Sequence, residues 1–120
     1  MTELFHITDR AAWEAAQPAQ EYRWSTRGIS LDQQGFIHFS LAHQLRGVAE
    51  HLYGDADDPG ARDLVVLVVD SDRLDAPLRY EVPEAGAEPF PHLYGPLPTG
   101  AVSAVLAVSR DDAGRLVLPQ

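Results

Sequence analysis

The sequence predicts an α+β fold: six to eight strands in a strongly curved or split sheet, with two helices, both in the first half. Three observations carry this. Strand-like segments outnumber helical ones. Apolar residues recur at helical spacing in only two places, both before residue 55. Strand and helix do not alternate along the chain, as a parallel βαβ fold would require. The chain has 120 residues, 45% hydrophobic and 22% charged, which fits one domain spanning 1–120 with its own core.

Leu4-Phe5-His6-Ile7 reads as a short strand with His6 near its end. Asp9 suits a helix N-cap, and Arg10 to Gln17 a short helix stopped by Pro18. Tyr22-Arg23-Trp24 is a second strand candidate, followed by a turn from Ser25 to Gly28. Gly35-Phe36-Ile37-His38-Phe39 is aromatic and β-branched, as strands prefer. Ser40 then fits an N-cap for a helix whose Leu41, Leu45, Val48, Leu52 and Tyr53 share one face, with Gly54 at the C′ position.

Asp55-Ala56-Asp57-Asp58 reads as a solvated acidic loop, since it lacks the glycine and terminal glutamate of a calcium loop. Leu64 to Val69 is a continuous apolar run, which predicts a strand buried on both faces. Leu78 to Val82 alternates like a half-buried strand. Pro83 to Pro91 reads as a loop and Pro91 to Pro98 as a rigid, turn-prone segment. Ala101 to Val108 is a further apolar strand, Ala113-Gly114 a turn, and Arg115 to Leu118 a final short strand.

Charge and composition narrow the function. The net charge is −9, and all nine basic residues are arginine. Bulk nucleic-acid binding is not expected, because phosphate affinity needs a surplus of positive charge. With no lysine and no cysteine, Schiff-base chemistry, a P-loop, disulfides and thiolate sites are excluded. No basic leader precedes an apolar stretch, and no apolar run approaches the ~20 residues of a membrane span. The expectation is a cytoplasmic protein with no membrane association.

Five histidines occur. His43 and His51 fall on the predicted helix, as exposed residues. His6, His38 and His92 sit in or beside strands, where an imidazole can be a buried structural group or a general base. Strand alternation puts His6 and Thr8 on one face, and His38 and Ser40 on another, so two imidazole–hydroxyl pairs converge if the strands are neighbours. Glu81 can orient a histidine, bind a ribose diol or act as a base. Tyr94 can stack on a planar ring. The candidate catalytic residues are therefore His6, His38 and Glu81, and the candidate binding residues Thr8, Ser40, His92 and Tyr94. A three-histidine metal site from His6, His38 and His92 stays open as an alternative, although no metal is expected.

The segments Phe5-His6-Ile7-Thr8, Gly35-Phe36-Ile37-His38-Phe39-Ser40, Arg79-Tyr80-Glu81 and Phe90-Pro91-His92-Leu93-Tyr94-Gly95-Pro96-Leu97 resemble the domain-of-unknown-function 952 family. That family is similar to a small, degenerate ADP-ribosyltransferase fold, with RNA 2′-phosphotransferases as its nearest enzymatic cousins. The resemblance implies a split, two-sheet antiparallel core holding NAD between the sheets. His6 then matches the histidine that binds a ribose hydroxyl, with Ile7 in place of glycine. His38 matches the tyrosine that stacks on nicotinamide. Glu81 is the candidate for the catalytic glutamate. The implied ligand is a nucleotide such as NAD. The implied function is a nucleotide-binding or ADP-ribosyl- or phosphotransferase-related enzyme, or a non-catalytic binding module that keeps the cleft.

Overall fold

The computed structural model describes residues 2–54 and 63–118. The acidic stretch 55–58, expected as a surface loop, lies outside the described residues. The elements are β1 (Glu3–Asp9), α1 (Arg10–Ala15), β2 (Glu21–Tyr22), β3 (Trp24–Thr26), β4 (Ile29–Ser30), α2 (Leu31–Gln34), β5 (Ile37–His38), α3 (Leu45–Tyr53), β6 (Leu64–Asp70), β7 (Leu78–Glu81), β8 (Phe90–Leu93), β9 (Leu97–Pro98), β10 (Val102–Arg110) and β11 (Leu116–Val117).

The apolar run at 64–69 organises the rest. It becomes β6, interior to a four-stranded sheet ordered β1-β6-β10-β11. Its side chains alternate between two cores. Val65, Leu67 and Val69 face one core with Leu4, Tyr22, Ile37, Phe39, Leu93 and Leu97. Leu64 and Val66 face the other, with Ile7, Leu116 and the α3 residues Leu45, Ala49 and Tyr53. Those three recur every four residues, so one stripe of α3 lies on the sheet. The strand is buried on both faces, as expected, although its partners are antiparallel.

A second sheet, ordered β5-β8-β7, is also antiparallel. The two sheets share the first core, and an isolated backbone bridge ties them together. Ser40 pairs with Phe5, each backbone N–H donating to the other's carbonyl at 2.8 Å. The α+β class with antiparallel sheets therefore stands. Among the described residues there are eleven strand segments, not six to eight, because several are pairings only two residues long. Among the same residues there are three α-helices, not two. The unexpected one, α2, is built by a capping box: Ser30 Oγ accepts from Gln33 N, and Gln33 Oε1 accepts from Ser30 N. It ends at Gly35, whose φ of +94° is a left-handed stop that sends the chain into β5.

Four local expectations need correction. Ser40 caps no helix. Its backbone is spent on the Phe5 bridge, and the helical spacing from Leu41 splits into a 3₁₀ turn at 42–44 and α3. Gly54 ends α3 in a right-handed conformation, with φ of −69°. The strand expected over Tyr22 to Trp24 is two short strands on different partners. The segment expected to be a proline turn contains β8, with Pro91 inside it. The carbonyl of Pro91 still accepts from Phe39 N at 2.9 Å, so the missing N–H does not end the strand.

Candidate functional site

Where the two sheets diverge, a cleft of ≈ 790 Å³ opens. Its floor comes from β1, β5 and β8, and its sides from α3 and the segment 83–90. His6, His38 and His92 line it, and so do His43 and His51. All five histidines of the chain therefore border one space.

His38 and His92 are the centre of the site. They lie directly opposite each other on β5 and β8. Their rings meet edge to face, with centroids 5.1 Å apart. Each is held through Nδ1. Ser25 Oγ lies 2.9 Å from His38 Nδ1, and Glu81 Oε1 accepts from His92 Nδ1 at 2.8 Å. Phe36 stacks on His92 at 4.1 Å and fixes the ring plane. Tyr94 donates to the same Glu81 oxygen at 2.5 Å. These bonds from Tyr94 and His92 hold the Glu81 carboxyl below its usual range, so it stays ionised.

The far sides of both rings are free. Among the described residues, neither Nε2 takes a hydrogen bond, nor does Ser40 Oγ. Among these residues no buried side-chain nitrogen or oxygen lacks a partner, so these atoms reach the cleft surface. An ionised Glu81 only accepts, so His92 Nδ1 carries a proton, and in the neutral tautomer Nε2 is the acceptor. Ser25 is fully buried and can donate or accept, so His38 can carry its proton on either nitrogen. Burial, and then the neighbouring His92, push the His38 pKa down.

His6 is placed differently. It is buried, Nδ1 lies 2.7 Å from the His38 carbonyl, and Nε2 lies 2.8 Å from the Tyr22 hydroxyl. The Tyr22 and Thr8 hydroxyls are in turn 2.8 Å apart. A carbonyl only accepts, so Nδ1 carries the proton, Nε2 accepts from Tyr22, and Tyr22 accepts from Thr8. Burial lowers the His6 pKa to about 4, so this neutral tautomer persists. The same burial raises the Tyr22 pKa.

The predicted residues thus fall into two connected groups. His38, His92 and Ser40 present atoms to the cleft, while Glu81 and Tyr94 stand behind His92. His6 borders the cleft with both nitrogens engaged, and Thr8 lies behind it. The expected His6–Thr8 pair exists only through Tyr22, and His38 pairs with Ser25 rather than Ser40. Among the described residues, no group of three or more histidine and carboxylate side chains is arranged to hold a metal. Both ring nitrogens of His6 are engaged within the protein, so His6, His38 and His92 do not form such a group.

Tyr22, Ser25 and Phe36 were not legible as site residues. Ser25 and Tyr22 reach theirs across 13 and 16 positions in the chain, and no local pattern encodes such pairings. Phe36 carried a signal, since it lies two residues from His38 on an extended segment. At the cleft mouth, His43 Nε2 bonds both Glu88 oxygens at 3.1 and 3.0 Å. Both side chains are exposed, as expected for His43.

No helix among the described residues is long and apolar enough to cross a membrane. No curated protein matches the chain. Among solved structures, the chain is similar to protein CC0527 from Caulobacter crescentus. One crystal structure of that protein is 30% identical, with a TM-score of 0.77, covering 97% of this chain and 94% of that one. The crystal structure of a double mutant gives 29% and 0.77 over the same shares. The solution structure gives 30% and 0.72, covering 96% and 91%. A family model described as a protein of unknown function (DUF952) matches residues 7–105. The chain, by that match, belongs to the DUF952 family.

Proposed function

We propose that the cleft binds a small nucleotide-type molecule such as NAD, and that His38 and His92 act on it as an acid–base pair. The observation that carries this is the pair itself. Two imidazoles are fixed through Nδ1 by Ser25 and Glu81 and turn their Nε2 atoms to the same cleft. His92 Nε2 takes a proton from an attacking hydroxyl or water. His38 gives one to the departing group from its doubly protonated form, in which Nδ1 donates to Ser25 Oγ, and returns to the neutral ring. Such positioned transfers contribute roughly 10²–10⁴-fold in rate. The resemblance to ADP-ribosyltransferases supplies the nucleotide, and the half-buried rings of Phe5, Phe36 and Phe90 in the lining suit a flat base.

In this reading Glu81 is a positioning residue, since its carboxylate is spent on His92 and Tyr94. His6 is another, since it donates to the His38 backbone. The occupied Glu81 favours a second reading, a binding module that keeps the cleft without turnover. Calorimetric titration with NAD, with His38→Ala and His92→Ala alongside, tests the site. Binding that both changes abolish while the proteins stay folded supports it. NAD turnover by the parent, lost in His92→Ala, selects the enzyme over the module. No heat at millimolar NAD overturns the nucleotide reading.

A further inference from the structure

The cleft's charge inventory goes further than its shape. The chain has nine arginines and no lysine, yet no arginine lines the cleft among the described residues. Six are committed elsewhere. Arg10 pairs with Asp63, Arg23 with Asp32 and Glu21, and Arg73 with Asp70. Arg27 adjoins the lining residue Thr26, but its guanidinium donates to the Leu52 carbonyl and lies over the Tyr53 ring. Arg79 lies over Tyr94, and Arg110 donates to the Gly114 and Tyr53 carbonyls. The one carboxylate in the lining among the described residues, Glu88, adds negative charge at the mouth and already holds His43. The whole chain is at −9.

A phosphate taken into such walls would lose water and gain no fixed cation among the described residues. The polar atoms facing the cleft beside the pair, Nε2 of His38 and His92 and Oγ of Ser40, suit the edge of a heterocycle or a sugar hydroxyl. Resting on the reading above, we infer that the cleft recognises an uncharged ring-and-sugar unit, a nucleoside, and contains no subsite for its phosphates. Any phosphate of a bound nucleotide stays in solvent at the mouth and adds nothing to affinity.

The test is a calorimetric series on the intact protein at one fixed pH near 8. The probes are nicotinamide, adenosine, AMP and NAD, each at low and high salt. The inference expects adenosine or nicotinamide to bind within about threefold of its phosphorylated counterpart, with no salt dependence. AMP or NAD binding more than about tenfold tighter than both uncharged probes, and weakening with salt, overturns the inference and leaves the nucleotide reading standing. No binding of any probe overturns both. Histidine ring resonances followed by NMR in the same titrations separate cleft binding from surface binding. His38 and His92 shift in the first case and stay still in the second, and the second also counts against the inference.

Discussion

Replacing Tyr22 by phenylalanine removes one oxygen and nothing else, and the structure makes that oxygen expensive. Tyr22 is 1% exposed. Its hydroxyl donates to His6 Nε2 and meets Thr8 Oγ1, both at 2.8 Å. In Tyr22→Phe a buried ring nitrogen loses its donor and a buried hydroxyl loses its acceptor. A buried polar group left without a partner costs about 1–3 kcal/mol. Thr8 can rotate its hydroxyl, so the lower part of the range applies to it. The expected loss is about 2–4 kcal/mol, or roughly a 10 °C fall in melting temperature for a domain of this size. Urea denaturation followed by tryptophan fluorescence measures it, since Trp13 packs near Tyr22 with ring centroids 6.5 Å apart. Adding Thr8→Val removes the stranded hydroxyl, so the double variant is expected to lose less than the sum of the singles. A cost for Tyr22→Phe below about 0.5 kcal/mol would refute the argument that these hydroxyls serve the fold rather than a ligand.

Three further outcomes follow from the same geometry. The His6 pKa is depressed to about 4, so in the window between the unfolded value near 6.5 and 4 the unfolded chain binds the extra proton. Stability is then complete above pH 6.5 and falls by roughly 3 kcal/mol as pH drops towards 4, with depressed His38 adding in the same direction. Urea midpoints across that window, flattened in His6→Asn, check it. Glu81→Gln keeps an oxygen near His92 but removes the charge. It is expected to leave the melting temperature nearly unchanged while weakening ligand affinity several-fold, and unchanged calorimetric affinity would count against the positioning role. Gly35→Ala meets open space but a φ of +94°, so strain alone should cost about 1 kcal/mol in a chemical melt.

The parts of the fold legible in the sequence were those whose signal is local. Six consecutive apolar residues at 64–69 read as a strand buried on both faces, and Leu45, Val48, Leu52 and Tyr53 as a helix face, although Ala49 rather than Val48 joins Leu45 and Tyr53 in the buried core. The parts that escaped depend on distant partners. Pro91 reads as a breaker until β5 and β7 are seen to flank it. Ser40 reads as a cap until Phe5 takes its backbone. The site divides the same way. His38 and His92 stood out by their apolar and proline-rich surroundings, and Glu81 by its strand. Their true partners lay far along the chain, and no spacing rule reaches Ser25 from His38 or Tyr22 from His6. His43 and His51 were read correctly as exposed, but exposure on a helix does not say which space the residue borders.

The direct opposition of His38 and His92 across β5 and β8 has an evolutionary consequence. Their separation is set by backbone pairing, which holds whatever side chains stand there. The two positions behave as a socket: exchanging both residues at once changes the chemistry at the base of the cleft and leaves its frame untouched. A one-residue slip of β8 would instead turn position 92 to the opposite face. Proteins that share this frame are best sorted by the residues they carry at these two positions.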